Sequence, residues 1–132
     1  MTERILIVDD QREIVDLTEM VLGDAGFETV GVSSGVDALD HLARQRFDLV
    51  LLDINMPEMD GWETLRLLRA DHDLDDVPVV MFSVKGELHD KVAGMQEGAT
   101  DYITKPFVVD QLLERVERIL ESAHGAAAED PA

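Results

Sequence analysis

Two kinds of apolar pattern take turns along this chain, and their alternation restricts the fold more than any other feature. Short, nearly continuous aliphatic runs are typical of strands buried on both faces, whereas apolar residues at steps of three and four are typical of amphipathic helices. The runs predicted as strands cover residues 4–9, 28–32, 49–53, 79–82 and 102–104.

A helical pattern follows each run. Gly26 is expected to stop the first helix as its C-terminal cap. The residues predicted to face inward are Ile14, Leu17, Val21 and Ala25 with Val15, Met20 and Leu22 beside them, then Val36, Leu39, Leu42 and Ala43, then Trp62, Leu65 and Leu68, then Leu88, Val92, Met95 and Ala99, and finally Val109, Leu112, Leu113, Val116, Ile119 and Leu120.

Five strand-then-helix units predict an α/β domain with a doubly wound parallel sheet and helices on both faces, because parallel strands need crossover connections. In such sheets ligands bind beyond the carboxyl ends of the strands, where the strand order reverses. We expect one domain over residues 1–121. Residues 122–132 lose the periodicity, so they are expected to be a flexible tail or the start of a linker.

Composition excludes several classes of protein. The 132 residues include no cysteine, so no disulfide framework or thiolate site can form. The apolar runs are too short to cross a bilayer and the first residues do not resemble a secretion signal, so we expect a soluble, cytoplasmic protein without membrane contact. A monomer is the default expectation.

The net charge of −18 results from 29 acidic and 11 basic residues. Such a charge repels nucleic-acid phosphates, and the basic residues are scattered, so we expect no direct nucleic-acid binding. Two explanations of the acidic surplus stay open at this point. It can coat a protein that works in a saline interior, as in a halophilic microbe, or part of it can form a cation site.

Polar residues follow the ends of the predicted strands. Taken singly, each has a local explanation; for example, Asp10 with Glu13 is typical of a helix N-terminal capping pair. Taken together, they bring carboxylates, hydroxyls and an ammonium group to one sheet edge. In chain order these residues are Asp9, Asp10, Ser33, Ser34, Asp53, Ser83, Thr104, Lys105 and Pro106.

Asp9, Asp10 and Asp53 become neighbours if the strand order is 2-1-3-4-5. Three adjacent carboxylates repel one another, and a bound cation resolves the repulsion. Oxygen ligands without cysteine or paired histidine favour Mg²⁺. With Ser83 and Lys105 nearby, the same group fits phosphoryl transfer. Asp53 is then the candidate nucleophile, because Asp9 and Asp10 are better used as metal ligands.

Four sequence blocks, in order along the chain, resemble the receiver domain of two-component response regulators, in particular single-domain chemotaxis regulators with a flavodoxin-like fold. The resemblance extends from residue 4 to about residue 121. The blocks are residues 7–10, 51–63, 82–83 and 98–107.

The resemblance implies a role for each matching residue. Asp53 would accept a phosphoryl group from a sensor histidine kinase or a phosphotransfer protein. Asp9, Asp10, Asp53 and the backbone carbonyl of Asn55 would hold Mg²⁺, and Lys105 would pair with the phosphoryl group. These roles are carried over residue by residue from the family pattern.

The resemblance also implies a conformational response. Ser83 would move to bond the phosphoryl group and Tyr102 would turn inward. This would remodel the face of the fourth helix, fifth strand and fifth helix for an unknown downstream protein. Without the resemblance, Tyr102 is more typical of a half-buried aromatic residue that packs and does not switch. The Lys105–Pro106 bond is cis in relatives. Val84, which replaces a small residue, is expected to narrow access to Asp53.

Two other functions remain open. An aspartate-nucleophile phosphatase would share the layout and Mg²⁺, but such enzymes as a rule carry a D-x-D nucleophile motif on the first strand, whereas here the lone candidate is on the third. A phosphorylation-independent adaptor would keep the fold without the chemistry, yet every residue of the reactive group is present. We therefore expect a switch rather than a turnover enzyme, either stand-alone or the front part of a longer regulator. Phosphorylation-linked dimerisation is the alternative to a monomer.

Overall fold

The computed structural model describes residues 2–84 and 98–128, without the side chains of residues 83, 84 and 124–128. The strands are β1 (Arg4–Val8), β2 (Glu28–Val32), β3 (Leu49–Asp53), β4 (Val79–Val84) and β5 (Asp101–Lys105). The helices within these ranges are α1 (Arg12–Asp24), α2 (Gly35–Arg44), α3 (Gly61–Ala70) and α4 (Val109–Ala128). Strands β2 and β3 have the predicted bounds, and β4 and β5 are each two residues longer than predicted.

The five strands form one parallel sheet in the order β2-β1-β3-β4-β5, which confirms the predicted fold class. The register aligns Val8 of β1 with Leu52 of β3. The residues that follow these positions, Asp9 and Asp53, therefore emerge side by side at the carboxyl edge. β5 is an edge strand that pairs with β4 alone.

Alternate residues of the central strands point to opposite faces of the sheet, and each face carries its own core. On one face, Leu6, Val8, Val50 and Leu52 pack against α2 and α3. On the other face, β1 and β3 supply aliphatic side chains that pack against α1 and α4, which explains why both strands are apolar without alternation. The buried residues of this second core are Ile5, Ile7, Val15, Leu22, Leu49, Leu51, Val80, Phe82, Ile103, Leu112, Val116 and Leu120.

The buried face of α1 differs from the predicted face. Val15, Thr18 and Leu22 are buried, whereas Leu17 and Met20 are exposed. Val15 and Leu22 agree with the prediction, Leu17 and Met20 contradict it, and Thr18 was not counted as an inward residue. Its hydroxyl donates to the carbonyl oxygen of Ile14 at 2.7 Å, so the side chain packs as a small apolar group.

The buried face of α2 was predicted in part: Leu42 is buried and Leu39 packs against the core, as expected. Gly35, Ala38 and Leu42 face inward, and Val36 and Ala43 are exposed. Small residues define this face because α2 lies close to α3; a Cβ atom on Gly35 would collide with the Thr64 hydroxyl. Periodicity weighted towards large aliphatic residues cannot detect such a face.

The other helices agree more closely with the sequence. Leu65 and Leu68 are buried in α3, and Leu112, Val116 and Leu120 are buried in α4, although Val109 is exposed. Gly26 follows the C-terminal cap of α1 with a φ of 99°, as expected for a glycine that ends a helix.

Two features concern the C-terminal half of the chain. α4 extends to Ala128, past residue 121, because its last turns are rich in alanine, the strongest helix former. The fourth predicted helix has Leu88, Val92 and Met95 outside the described residues, and Ala99 is buried just before β5. Among the residues that the structure describes, no helix is long and apolar enough to span a bilayer.

Candidate functional site

The carboxyl edge of β1 and β3 brings three carboxylates together. One carboxylate oxygen from each of Asp9, Asp10 and Asp53 lies within 4.8 Å of the others. Asp9 is fully buried and Asp53 is 4% exposed, whereas Asp10 faces solvent. The sequence placed these three residues at one edge, and the structure brings them to one point.

Lys105, at the end of β5, is the cation of this group. Its Nζ donates to Oδ2 of Asp9 at 2.7 Å and to Oδ1 of Asp53 at 3.1 Å. The Lys105 side chain is 14% exposed, so both ion pairs are shielded from water. One ammonium group faces three carboxylates, and the local charge stays negative.

The pKa of Asp53 is raised in this buried and negatively charged surrounding. Burial and the nearby charge of Asp9 raise the pKa of Asp53 from 3.8 to about 6, against the opposing effect of Lys105. For Lys105 itself, burial lowers the pKa, but the hydrogen bond that Lys105 donates to Asp9 and the charges of Asp53 and Asp9 outweigh burial and raise the pKa. Lys105 therefore stays charged, whereas Asp53 takes up a proton at a higher pH than an ordinary aspartate does.

Asp10 does not cap α1, contrary to the local explanation considered for it. The N-cap residue is Gln11, and its side chain makes no capping hydrogen bond. Asp9 instead accepts a hydrogen bond from the backbone N–H of Gln11 at 2.9 Å. A backbone N–H thus orients the Asp9 carboxylate, and the Asp10 carboxylate lies with those of Asp9 and Asp53 instead of capping α1.

The segment after Asp53 packs tightly against it. The backbone N–H of Asn55 points to Oδ1 of Asp53 at 3.4 Å, and the N–H of Gly61 donates to the Ile54 carbonyl at 2.8 Å. A Cβ atom on Gly61 would lie 2.7 Å from Cα of Ile54 and would also collide with the Asp53 carbonyl oxygen. α3 therefore begins directly against the backbone of Asp53.

The remaining predicted residues are placed as follows. Ser34 caps α2 by accepting from the N–H of Asp37 at 3.1 Å, so its role is structural. Ser83 is in β4 opposite Thr104, and the side chains of Ser83 and Val84 lie outside the described part of the chain. Tyr102 is buried, with 7% of its surface exposed, and the Lys105–Pro106 bond is cis as expected.

Two aromatic residues beside Lys105 were missed by the sequence reasoning. The Phe82 ring centroid lies 6.0 Å from Nζ of Lys105, and the Phe107 ring stacks on Phe82 at 6.0 Å between centroids. The Phe82 ring contributes a cation–π attraction to the ammonium group, and Phe107 packs against that ring. Their positions at a strand end and directly after Pro106 were the available signal.

The donor set fits a magnesium ion. Three carboxylate oxygens converge, one from an exposed residue that is accessible from solvent, and a hard cation with only a few protein ligands prefers such oxygens. A cation there would offset the negative charge that Lys105 alone leaves. The Asn55 carbonyl is expected as a further ligand, and this role stays a prediction.

The chain matches the family model for the response regulator receiver domain over residues 5–117. It is 42% identical over 116 residues to the DNA-binding response regulator MtrA of Mycolicibacterium paratuberculosis, covering 88% of this chain and 50% of that protein. It is 38% identical to the regulatory protein VanRc of Enterococcus gallinarum, covering 88% of this chain and 49% of that one. The chain thus spans about half the length of the curated relatives it matches.

Among solved structures, the chemotaxis response regulator CheY4 of Vibrio cholerae superposes with a TM-score of 0.86 at 31% identity, covering 90% of this chain and 99% of that one. The receiver domain of NtrX from Brucella abortus superposes with a TM-score of 0.83 at 37% identity, covering 89% and 98%. Sequence, fold and the acidic edge agree, and the chain belongs to the receiver domain family of two-component response regulators.

Proposed function

We propose that this chain is a phosphorylation-activated switch in which Asp53 accepts a phosphoryl group from a sensor histidine kinase or a phosphotransfer protein. The observation that carries the proposal is the contact of Lys105 with Asp53 and Asp9 at the edge where three carboxylates converge. A buried ammonium group beside a carboxylate nucleophile is placed to hold the negative oxygens of a transferred phosphoryl group.

The reaction makes one bond and breaks one bond. A carboxylate oxygen of Asp53 attacks phosphorus as the bond from phosphorus to the donor imidazole nitrogen breaks, and that nitrogen keeps the bonding electron pair. The product is an acyl phosphate on Asp53. A bound Mg²⁺ would neutralise charge on the phosphoryl oxygens, held by Asp9, Asp10, Asp53 and the Asn55 carbonyl.

Lys105 must redistribute its hydrogen bonds in this reaction. In the structure it donates to Oδ1 of Asp53 and Oδ2 of Asp9. Once Asp53 is phosphorylated, its negative charge is on the phosphoryl oxygens, so the Lys105 ammonium group is proposed to bond those oxygens while keeping its bond to Asp9. Ser83 is proposed to donate a hydroxyl to the same phosphoryl group and Tyr102 to respond to its movement.

The switch is proposed to act by shifting a conformational equilibrium. Phosphorylation adds charge at a fixed position, and two states that differ by a few kcal/mol exchange populations when such a charge favours one of them. The proposed readout face comprises β5, α4 and the fourth predicted helix, which lies outside the described residues, and its partner is a downstream protein of unknown identity. Slow hydrolysis by water at phosphorus would restore the Asp53 carboxylate, so turnover of an external substrate is not the proposed activity.

The expectation of no direct nucleic-acid contact is not confirmed. Relatives named MtrA are described as DNA-binding response regulators, and this chain spans half their length. The strong net negative charge still argues against DNA contact through this part of the protein. A cytoplasmic location is also proposed, because that is the compartment where a histidine kinase donor would meet the chain.

The test is incubation with Mg²⁺ and acetyl phosphate, followed by intact-mass measurement and peptide mapping. The parent protein is expected to gain one phosphoryl group on Asp53, labile to hydroxylamine, and Asp53→Asn is expected to gain none. Asp40→Asn, on the exposed side of α2, is the matched control and should be modified like the parent. A parent protein that gains no phosphoryl group from acetyl phosphate or from any histidine kinase would contradict the proposal.

A further inference from the structure

Arg69, in the last turn of α3, uses its guanidinium group on backbone carbonyl oxygens of two separate segments. Nε donates to Gly98 at 3.0 Å. One terminal nitrogen reaches three carbonyl oxygens of the α3–β4 loop, those of Val77 at 2.7 Å, Asp75 at 3.2 Å and Leu74 at 3.4 Å. These bonds tie the loop after α3 to the residue that leads into β5.

The receiving segment is shaped for this contact. Gly98 has a φ of 100°, a conformation that residues with a Cβ atom rarely adopt. A Cβ atom there would lie 3.3 Å from Nε of Arg69. Two residues later, Thr100 accepts from the N–H of Val79 through its hydroxyl at 3.0 Å and donates its own N–H to the Val79 carbonyl at 2.8 Å.

The hydrogen bonds from Arg69 to the carbonyl oxygens of Gly98 and the α3–β4 loop, called the Arg69 clamp below, matter because β5 is an edge strand. It pairs with β4 on one side only, so its position depends on that ladder and on side-chain tethers. Its entry is held by Arg69 through Gly98 and by Arg115 of α4, which donates to the Tyr102 carbonyl at 2.7 Å. Its exit carries Lys105, bonded to Asp9 and Asp53.

Helix α3 connects the Asp53 backbone to the start of β5. Its first residue, Gly61, packs against the backbone of Asp53, and its last turn holds the entry of β5 through Arg69. Asp53 is thus linked to β5 in two ways: through α3 and the Arg69 hydrogen bond at the start of β5, and through Lys105 at the end of β5. A shift of β5 relative to α3 would change the distance from Lys105 to Asp53.

We infer that Arg69 is a positioning residue for phosphoryl transfer, which fixes β5 against α3 so that Lys105 is aligned with Asp53. The inference rests on the proposed function. Removing the clamp is expected to leave the carboxylates of β1 and β3 in place, so the affinity for Mg²⁺ should change little. The phosphorylation rate should fall, because small misplacements of a charge-stabilising group slow such reactions strongly.

The test compares Arg69→Gln with the parent and with Arg66→Gln, an exposed arginine of the same helix. Phosphorylation by acetyl phosphate at saturating Mg²⁺ is expected to be several-fold slower in Arg69→Gln alone, with Mg²⁺ affinity within about two-fold of the parent. Amide hydrogen exchange in β5 should become faster in the same variant. Arg69→Lys, which keeps the charge but not the branched donor group, should not restore the parent rate.

The outcomes separate the two proposals. A parent that is not phosphorylated on Asp53 contradicts the proposed function, whereas β5 exchange still reports on the clamp. A parent and an Arg69→Gln variant with equal rates overturn the positioning role, as does full rescue by Arg69→Lys. If Arg69→Gln does not fold, the same rates are measured for Gly98→Ala, which strains the other side of the contact, and a parent-like rate there overturns the inference.

Discussion

The two edges of the sheet differ in how their charged side chains are paired. At the amino edge, Arg69 is satisfied by four backbone carbonyl oxygens, and the guanidinium group holds loops in place. At the carboxyl edge, Lys105 is the single described cation that bonds Asp9 and Asp53, and Asp10 remains beside them. A charge satisfied within the fold builds structure, whereas a charge left in surplus can bind a cation and react.

Removing Lys105 should give the largest loss of stability. Lys105→Met leaves the buried Asp9 without its ammonium partner, and breaking a buried ion pair costs about 3 kcal/mol or more. The reference is Arg44→Met, which breaks the exposed ion pair with Asp40 and should cost less than about 0.5 kcal/mol. Urea unfolding in the absence of divalent ions measures both, and equal losses would show that the carboxyl edge is not special.

The next effect concerns the contact between α3 and Asp53. Gly61→Ala forces a Cβ atom against the Asp53 carbonyl and Cα of Ile54, and overpacking against backbone is expected to cost about 2 kcal/mol. Gly23→Ala is the matched change in α1, where no atom lies within 4 Å of the new Cβ, and it should stabilise by about 0.5 kcal/mol or more. Chemical denaturation measures the unfolding free energy of both variants. A Gly61→Ala variant as stable as the parent would contradict the close contact between α3 and the Asp53 backbone.

The sequence predicted the sheet and the composition of the carboxyl edge, because the periodicity of buried parallel strands and the position of their ends are local properties. It missed part of the buried faces of α1 and α2, since Thr18, Gly35 and Ala38 are inward residues with no strong apolar signal. It also missed the Arg69 clamp. A cation that binds carbonyl oxygens of distant loops leaves no spacing pattern in the chain.

The acidic surplus separates the site from the remaining surface. Asp9, Asp10 and Asp53 account for three of the 29 acidic residues, so the net charge of −18 is a property of the surface. If the surface is adapted to a saline interior, molar KCl should raise the unfolding free energy by about 1 kcal/mol through screening of like charges. Thermal melts across KCl concentrations measure this, and a protein with no gain in salt would remove the halophile hypothesis.

The smallest expected effect is at Glu58, in the loop between β3 and α3. Its φ of 67° is unfavourable for a residue with a side chain. Glu58→Gly should relieve that strain and, after the extra chain entropy of glycine is subtracted, stabilise by about 0.5 kcal/mol. A destabilised Glu58→Gly in equilibrium unfolding would mean that the Glu58 side chain contributes more than its backbone costs.

The central claim is that the carboxyl edge carries buried negative charge that a cation must offset, and the stability of Asp53→Asn tests it most directly. The raised pKa means that, as pH rises from about 4 to about 6, Asp53 ionises at a cost to the folded state of about 2 to 3 kcal/mol, and below about pH 4 the cost disappears. Without divalent ions, Asp53→Asn should therefore be the more stable protein at about pH 7 and equal to the parent at low pH.

Saturating Mg²⁺ should stabilise the parent by about 2 to 3 kcal/mol and stabilise Asp53→Asn much less, which removes or reverses the difference between them. The measurement is the unfolding free energy of both proteins at about pH 7, with and without Mg²⁺. A parent that is already more stable than Asp53→Asn without the ion, and that gains nothing when it is added, would contradict the account.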